Sequence, residues 1–275
     1  NENILGEPLK RNTTGCLAFA AAHLLARYGN KHEDIVMAVT TADHLIREED
    51  RFRSTVQAAL AFAEKEDALV TIGVHPTRPD TGYGYIELTQ LNKPVDEYEG
   101  VPIYRVARFL EKPNQQDAEN YQASRFYYWN SGMFFWRLSV FLNSLEQTLP
   151  HGVELIHKLA GHIKNNNHEG IKTVFESFPD TSIDYALMEK AKNVFVVLGD
   201  FRWEDVGSWD SLSRYFPRDE KNNTLCGDPV VIDCENVTVY NEPGADKMAV
   251  CVLGVEDLVV VTSRDGVVVC PKGQS

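Results

Sequence analysis

The sequence predicts an α/β chain, a parallel sheet with helices packed on its faces, carrying a small all-β appendage at its carboxyl end. Three features point there. Strand-like runs alternate with amphipathic helical stretches from Asn12 to Tyr215, the order that builds a parallel sheet. After Pro217 the composition shifts to short valine-rich runs between turn sequences such as Asp233-Cys234-Glu235-Asn236 and Arg264-Asp265-Gly266, an all-β signature. Finally, 275 residues suit one principal core with a short satellite. The expected division is 1–218 for the core and 219–275 for the β domain, with the polar stretch Asp219 to Asn223 as linker.

The segment from Asn12 to Tyr28 opens on a polar Asn12, Thr13, Thr14 cluster suited to capping. It then places Leu17, Ala20, Ala21, Leu24, Leu25 and Tyr28 at helical spacing before Gly29 stops it. Ile35 to Val39 is a short buried strand, ending in Thr40-Thr41-Ala42-Asp43-His44. A second helix runs from Glu48 to Glu66 with Phe52, Val56, Ala59 and Ala63 on one face, and the strand Ala68 to Val74 follows. Gly82 to Thr89 and Pro102 to Leu110 read as strands separated by the polar stretch Asn92 to Gly100. Next come a surface helix from Asn114 to Ser124, the aromatic run Phe126 to Trp136, and a helix from Leu138 to Gln147. A helix from Thr181 to Lys192, a buried strand from Val194 to Leu198 and a short helix from Gly207 to Tyr215 complete the core. The first helix is preceded by neither a strand nor a glycine-rich loop, with which nucleotide-binding sheets more often begin. The core is therefore expected to be incomplete at its amino terminus.

Acidic residues outnumber basic ones by 40 to 27, a formal charge of −13, which repels nucleic acid and anionic membrane alike. A phosphate ligand stays open, because a few local cations and a divalent metal reverse the potential inside a cleft. No stretch approaches the roughly 20 apolar residues that cross a bilayer, and the opening residues carry no apolar signal core. A soluble, cytoplasmic protein is expected. Its five cysteines, Cys16, Cys226, Cys234, Cys251 and Cys270, are odd in number and widely spaced, which fits thiols in a reducing compartment rather than disulfides or zinc ligands.

Several polar residues sit where a ligand would meet them. Asp43 follows a strand at the carboxyl end of the sheet, where open α/β sheets bind ligands; it is either a magnesium ligand or a helix cap. Asp205, in Phe201-Arg202-Trp203-Glu204-Asp205-Val206-Gly207-Ser208-Trp209-Asp210, offers a second carboxylate with the same two readings, while Asp210 reads as structural and His44 as a packing or supporting residue. Gly84, in Thr81-Gly82-Tyr83-Gly84-Tyr85-Ile86, permits close approach of a ligand or marks a bend. Glu111 could accept hydrogen bonds from sugar hydroxyls and Lys112 approach a phosphate, or both could belong to a surface turn. Asn130, in the apolar run Trp129-Asn130-Ser131-Gly132-Met133-Phe134, needs partners that a polyhydroxylated ligand would supply. Arg11 and Asn12 precede a helix, where an anion is favoured; a salt bridge and a cap are the plainer roles. No motif marks a nucleophilic triad or a phosphate loop of the GxxxxGK[ST] kind.

In order and spacing, these segments resemble the mannose-1-phosphate guanylyltransferase family of nucleotidyltransferases. The matching stretches are Glu7-Pro8 with Arg11-Asn12-Thr13, Ala42-Asp43-His44-Leu45-Ile46, Thr81 to Ile86, Glu111-Lys112-Pro113, Trp129 to Phe134, Phe178-Pro179 with Ser182-Ile183-Asp184-Tyr185, and Asp205-Val206-Gly207-Ser208-Trp209. The resemblance implies a Rossmann-like, glycosyltransferase-A-like three-layer core and a β appendage of partial left-handed β-helix character, which could contribute to a homodimer. It also implies guanylyl transfer from GTP to mannose 1-phosphate with Mg²⁺ on Asp43 and Asp205. Glu111 and Asn130 would contact the sugar, Lys112 its phosphate, Gly84 the sugar pocket, and Arg11 and Asn12 the guanine side. Thr41 stands where the family usually has Pro or Ser, and Arg202 and Glu204 vary the stretch before Asp205. The competing readings are a nucleotidyltransferase for another hexose 1-phosphate and a noncatalytic nucleotide-sugar-binding regulatory subunit.

Overall fold

The computed structural model describes residues 4–90, 93–242 and 248–275, so Asn92 of the expected polar separator lies outside the described residues. In chain order the elements are α1 (Asn12–Tyr28), β1 (Val36–Val39), β2 (His44–Ile46), α2 (Glu49–Lys65), β3 (Leu69–Val74), β4 (Tyr85–Leu88), β5 (Asp96–Tyr98), β6 (Val101–Leu110), α3 (Gln115–Ala123) and β7 (Tyr127–Arg137). They continue through α4 (Leu138–Thr148), α5 (Pro150–Lys164), α6 (His168–Glu176), β8 (Val194–Gly199) and β9 (Trp203–Asp205). The last six are β10 (Thr224–Cys226), β11 (Val230–Ile232), β12 (Thr238–Asn241), β13 (Cys251–Leu253), β14 (Leu258–Thr262) and β15 (Val267–Pro271). Two compact units form: Asn1–Thr41 with Ile46–Arg202, and Ala42–Leu45 with Trp203–Ser275.

The first unit is built on a seven-stranded sheet in the order β1-β7-β3-β8-β6-β4, with β5 on β6 and a further pairing of β4 with β7. The expected parallel sheet is corrected here to a mixed one. β3 and β8 pair in parallel, but β7 lies antiparallel to β1, β3 and β4, and β6 antiparallel to β8, β4 and β5. The strand-helix-strand unit is still there; β7 enters the sheet between its two strands.

Strand alternation divides the side chains between two faces. Val194 and Val196 join the large core formed with α1, α4 and α5, while Phe195 meets Phe62 of α2 edge to face, 5.1 Å between ring centres. Helices therefore cover both faces of β8, which gives the three layers. Local chemistry explains several boundaries. Asn114 Oδ1 accepts the Asp117 N–H at 2.9 Å to cap α3, Pro150 occupies the first turn of α5, and Asn167 Oδ1 caps α6 through Gly170 N–H at 3.0 Å.

The helix expected from Thr181 to Lys192 shrinks to a five-residue π turn, Asp184–Met188. Its apolar spacing is real: Ile183, Ala186, Leu187 and Met188 are all buried. A turn at Glu189 and Lys190 ends it. α5, α6 and β5 lie in stretches to which the sequence reading gave no element.

In the second unit β10, β12 and β14 stack in parallel, as do β11 and β13, and β15 closes the first stack antiparallel. This is the stacking of solenoid rungs. Cys234, Val237, Val239, Val252 and Val260 fill the interior. Two buried asparagines hold the turns. Asn223 Nδ2 donates to the Cys234 carbonyl at 3.1 Å and its Oδ1 accepts the Val237 N–H at 3.0 Å. Asn241 Nδ2 donates to the carbonyls of Gly227 and Met248 while its Oδ1 accepts the Thr262 hydroxyl at 2.8 Å. Every polar atom of both amides thus meets a partner, as burial demands. No helix among the described residues is long and apolar enough to cross a membrane.

Candidate active site

In the first unit, Gly84, Glu111 and Asn130 come together. β4 and β7 run antiparallel with Tyr85 opposite Trp129, and the Asn130 N–H donates to the Gly84 carbonyl at 2.8 Å. A Cβ added to Gly84 would collide with Glu111 Oε2 and lie 3.6 Å from the Asn130 Cβ. Only glycine at this position leaves the Glu111 carboxylate where it is.

Asn130 owes its setting to an irregularity in β7. Thr71 pairs with Phe134 but Gly73 pairs with Asn130, so two residues of β3 are spanned by four of β7. Such a bulge re-aims the side chains around it. Gly132 absorbs the kink at φ +69°, a region that favours glycine. Its N–H donates to Asn130 Oδ1 at 3.1 Å, and Asn130 Nδ2 donates to Asp184 Oδ1 at 2.8 Å.

Acidic groups crowd this corner. Burial pushes the Glu111 carboxyl up to about 7; the negative field of Asp184 adds to the rise, Lys112 opposes it, and Glu189 adds a smaller push. Asp184 is also raised, chiefly by burial, against the hydrogen bonds it accepts and the field of Lys112. Lys112 is exposed at φ +45°, at the turn that follows β6.

The start of α1 is tied to the same segment as Asp184. Thr13 Oγ1 accepts the Ile183 N–H at 2.8 Å, and the Thr14 N–H reaches the Thr181 carbonyl at 3.3 Å. Arg11 donates to the Glu176 carbonyl at 2.8 Å, placing a cation on the carboxyl end of α6, and Asn12 Oδ1 accepts the Thr13 N–H at 2.8 Å. Among the described residues no hydrogen bond or ion pair joins Arg11 or Asn12 to Gly84, Glu111, Lys112 or Asn130.

The second unit contains the other two sequence-selected carboxylates. β2 pairs with β9, and the Val206 N–H donates to the Asp43 carbonyl at 2.9 Å. The Gly207 N–H donates to Asp205 Oδ1 at 2.7 Å. A Cβ on Gly207 would stand 2.9 Å from Asp205 Oδ1 and 3.1 Å from Asp43 Oδ2, so both carboxylates converge on this glycine. His44 Nδ1 accepts the Trp203 indole N–H at 3.0 Å, which leaves the proton of a neutral imidazole on Nε2. Burial holds the His44 pKa down, against the fields of Asp205 and Asp43. Asp210 plays a structural part, accepting from Gly273 N–H and the Ser275 hydroxyl. No group of three or more His, Cys, Asp or Glu side chains suited to a metal occurs among the described residues. A pair of carboxylates matches what magnesium takes from a protein when substrate phosphates and water complete its shell.

A family model described as nucleotidyl transferase matches residues 1–222, and one described as the MannoseP isomerase/GMP-like beta-helix domain matches residues 227–275. The chain belongs to the nucleotidyl transferase family. Among similar proteins, a mannose-1-phosphate guanylyltransferase of Klebsiella pneumoniae is 39% identical over 278 residues, covering 100% of this chain and 56% of that protein. One from Escherichia coli strain K12 is 38% identical over 274 residues, covering 98% of this chain and 55% of that protein. The chain thus spans little more than half the length of these curated relatives. A crystal structure described as a mannose-1-phosphate geranyltransferase from Thermus thermophilus is 34% identical with a TM-score of 0.74, over 98% of this chain and 73% of that one. A mannose-6-phosphate isomerase structure from Helicobacter pylori is 27% identical with a TM-score of 0.57, over 72% of each chain. A Rossmann-like α/β nucleotidyltransferase core with a small β-rich appendage is therefore the fold of this chain.

Asp184 is the residue to which the sequence reading gave no role. It stands in Ser182-Ile183-Asp184-Tyr185, quoted for the resemblance, yet the structure makes it the acceptor for Asn130. A single acid flanked by buried Ile183 and the buried Ala186-Leu187-Met188 run was the available signal, since such a carboxylate needs a partner.

Proposed function

We propose that this protein transfers a guanylyl group from GTP to α-D-mannose 1-phosphate, forming GDP-mannose and releasing pyrophosphate. The observation that carries the reading is the Gly84, Glu111, Asn130 cradle, found in a chain of this family. A carboxylate and an amide side by side, with a glycine leaving space next to them, suit the hydroxyls of a sugar. Lys112 supplies a mobile cation for the sugar's phosphate. Arg11 and Asn12 belong on the guanine side in this reading.

The reaction is an in-line displacement. A phosphate oxygen of mannose 1-phosphate attacks the α-phosphorus of GTP; the bond from that phosphorus to the bridging oxygen breaks and pyrophosphate leaves. No covalent enzyme intermediate is needed. Asp43 and Asp205 would hold Mg²⁺, which when bound neutralises charge developing on the phosphate oxygens. The Gly207 N–H fixes the Asp205 carboxylate through Oδ1, and the Trp203 indole fixes the His44 ring, which feels the fields of Asp205 and Asp43. We assign residues 1–218 to the nucleotidyltransferase core and 219–275 to the β domain. A reducing, cytoplasmic setting is part of this reading, on the odd number and wide spacing of the five cysteines.

The test is pyrophosphate release from GTP and mannose 1-phosphate with Mg²⁺, using the 275-residue chain beside the product of its uninterrupted reading frame. Glucose 1-phosphate and other nucleoside triphosphates serve as competitors. Turnover preferring mannose 1-phosphate and GTP supports the reading; preference for another hexose 1-phosphate replaces the sugar. GDP-mannose binding without metal or turnover by either protein would make this a regulatory subunit instead.

A further inference from the structure

We propose that Asp184 is a positioning residue that sets the Asn130 amide for sugar binding; this deepens the guanylyl-transfer reading and rests on it. The orientation of that amide is determined by its neighbours rather than free. The Gly132 N–H can only donate, so the atom 3.1 Å from it must be the amide oxygen. The Thr71 hydroxyl also lies 3.2 Å from that oxygen. The amino group is then turned toward Asp184 Oδ1 at 2.8 Å. One of its two N–H bonds is taken there; the other has no acceptor among the described residues and can meet a ligand.

A neutral acceptor would satisfy the same N–H, so the carboxylate calls for a reason. Asp184 forms no salt bridge among the described residues, and Lys112 is the cation whose field reaches it. Removing a carboxylate from water without an ion pair is unfavourable. What it gains is a stronger bond, since an anionic acceptor holds an N–H more tightly than a neutral one. The backbone supports the same purpose. Ile183 is pinned to Thr13 Oγ1, and the Ala186 N–H to the Ser182 carbonyl at 2.9 Å, so Asp184 stands on a fixed turn. A bulge in β7 fixes the amide from one side and this turn from the other.

The experiment compares Asp184→Ala and Asp184→Asn in the full-length protein. Its first readout needs no activity: the Asn130 side-chain amide signals in ¹⁵N-asparagine-labelled, ligand-free protein, assigned by their loss in Asn130→Asp. Its second is the KM for mannose 1-phosphate against the KM for GTP. Asp184→Ala should shift or broaden the Asn130 amide signals. It should also raise the KM for mannose 1-phosphate by about ten- to a hundredfold, the loss of one charge-assisted hydrogen bond, and leave that for GTP within about twofold. Asp184→Asn, whose amide oxygen can still accept but without the charge, should return the Asn130 amide signals toward wild type and leave the KM for mannose 1-phosphate about three- to tenfold above it, between Asp184→Ala and wild type. An unmoved Asn130 amide in Asp184→Ala would overturn the proposal, as would equal rises in both KM values or failure of Asp184→Asn to rescue. If the wild-type protein releases no pyrophosphate, guanylyl transfer falls on that result alone. The amide signals then still decide whether Asp184 orients Asn130.

Discussion

Glu111 Oε2 occupies the space that a Cβ on residue 84 would need. The backbone of Gly84 is not in the left-handed region, so alanine can be accommodated if the carboxylate swings away. Gly84→Ala should therefore fold, with Tm lowered by less than about 3 °C. In the proposed reaction its kcat/KM for mannose 1-phosphate should fall at least about tenfold, one mispositioned hydrogen-bonding group being worth that much. Steady-state kinetics beside a thermal melt would check it; unchanged kinetics would remove Glu111 from the sugar site.

The raised Glu111 pKa has a consequence for stability. An ordinary glutamate loses its proton near 4.5 and Glu111 near 7, so between these values the folded chain holds a proton that the unfolded chain releases. Stability from this group is complete below about pH 4.5 and is lost as pH rises through 7. Partial exposure screens the effect, leaving about 1–2 kcal/mol. Glu111→Gln should abolish that slope and be more stable than wild type at pH 8. Urea unfolding at intervals from pH 4 to 8 measures both, and parallel profiles would rule out the shift.

Much of the fold was legible locally and little of it globally. α1 was readable residue for residue because its apolar spacing ends at Gly29, and α3 because Asn114 supplies a cap at its start. The sheet's mixed order was not, because nothing in the run from Tyr127 to Arg137 records that β7 will lie between β1 and β3. Long-range pairing leaves no local periodicity. The same holds at the candidate site. In sequence Gly84, Glu111 and Asn130 are three separate and ambiguous signals, and their meeting depends on the β4 and β7 pairing and on the bulge at Gly132. Asp184 was hidden because a half-buried acid looks in sequence like any polar residue on a helix face. Its partner lies 54 positions away.

The convergence of Asp43 and Asp205 on Gly207 sets up a metal test. A methyl group at residue 207 would press on both carboxylates, 2.9 Å and 3.1 Å away, closer than ordinary van der Waals contact. Gly207→Ala should raise the Mg²⁺ concentration for half-maximal pyrophosphate release by about fivefold or more, with KM for GTP measured at saturating metal little changed. An identical Mg²⁺ dependence in the variant would count against this pair as the metal site.

Two glycines in the β-rich unit separate backbone strain from steric conflict. Gly227 and Gly254 both have positive φ, +79° and +63°. A Cβ on Gly254 meets nothing, whereas one on Gly227 would strike the Asn241 carbonyl oxygen, and that backbone cannot yield as a flexible side chain can. The Gly227 carbonyl also accepts from Asn241 Nδ2 at 3.2 Å, so displacement loosens the buried amide that joins three turns. Gly254→Ala should cost only the left-handed penalty, about 1–2 kcal/mol. Gly227→Ala should cost about 3 kcal/mol or more, as strain, overpacking and a broken buried network combine. Hydrogen–deuterium exchange of peptides covering 224–241 distinguishes the two. Protection of β10 and β12 should collapse in Gly227→Ala and persist in Gly254→Ala. Equal loss in both would mean that φ alone, not the carbonyl of Asn241, dictates glycine in these turns.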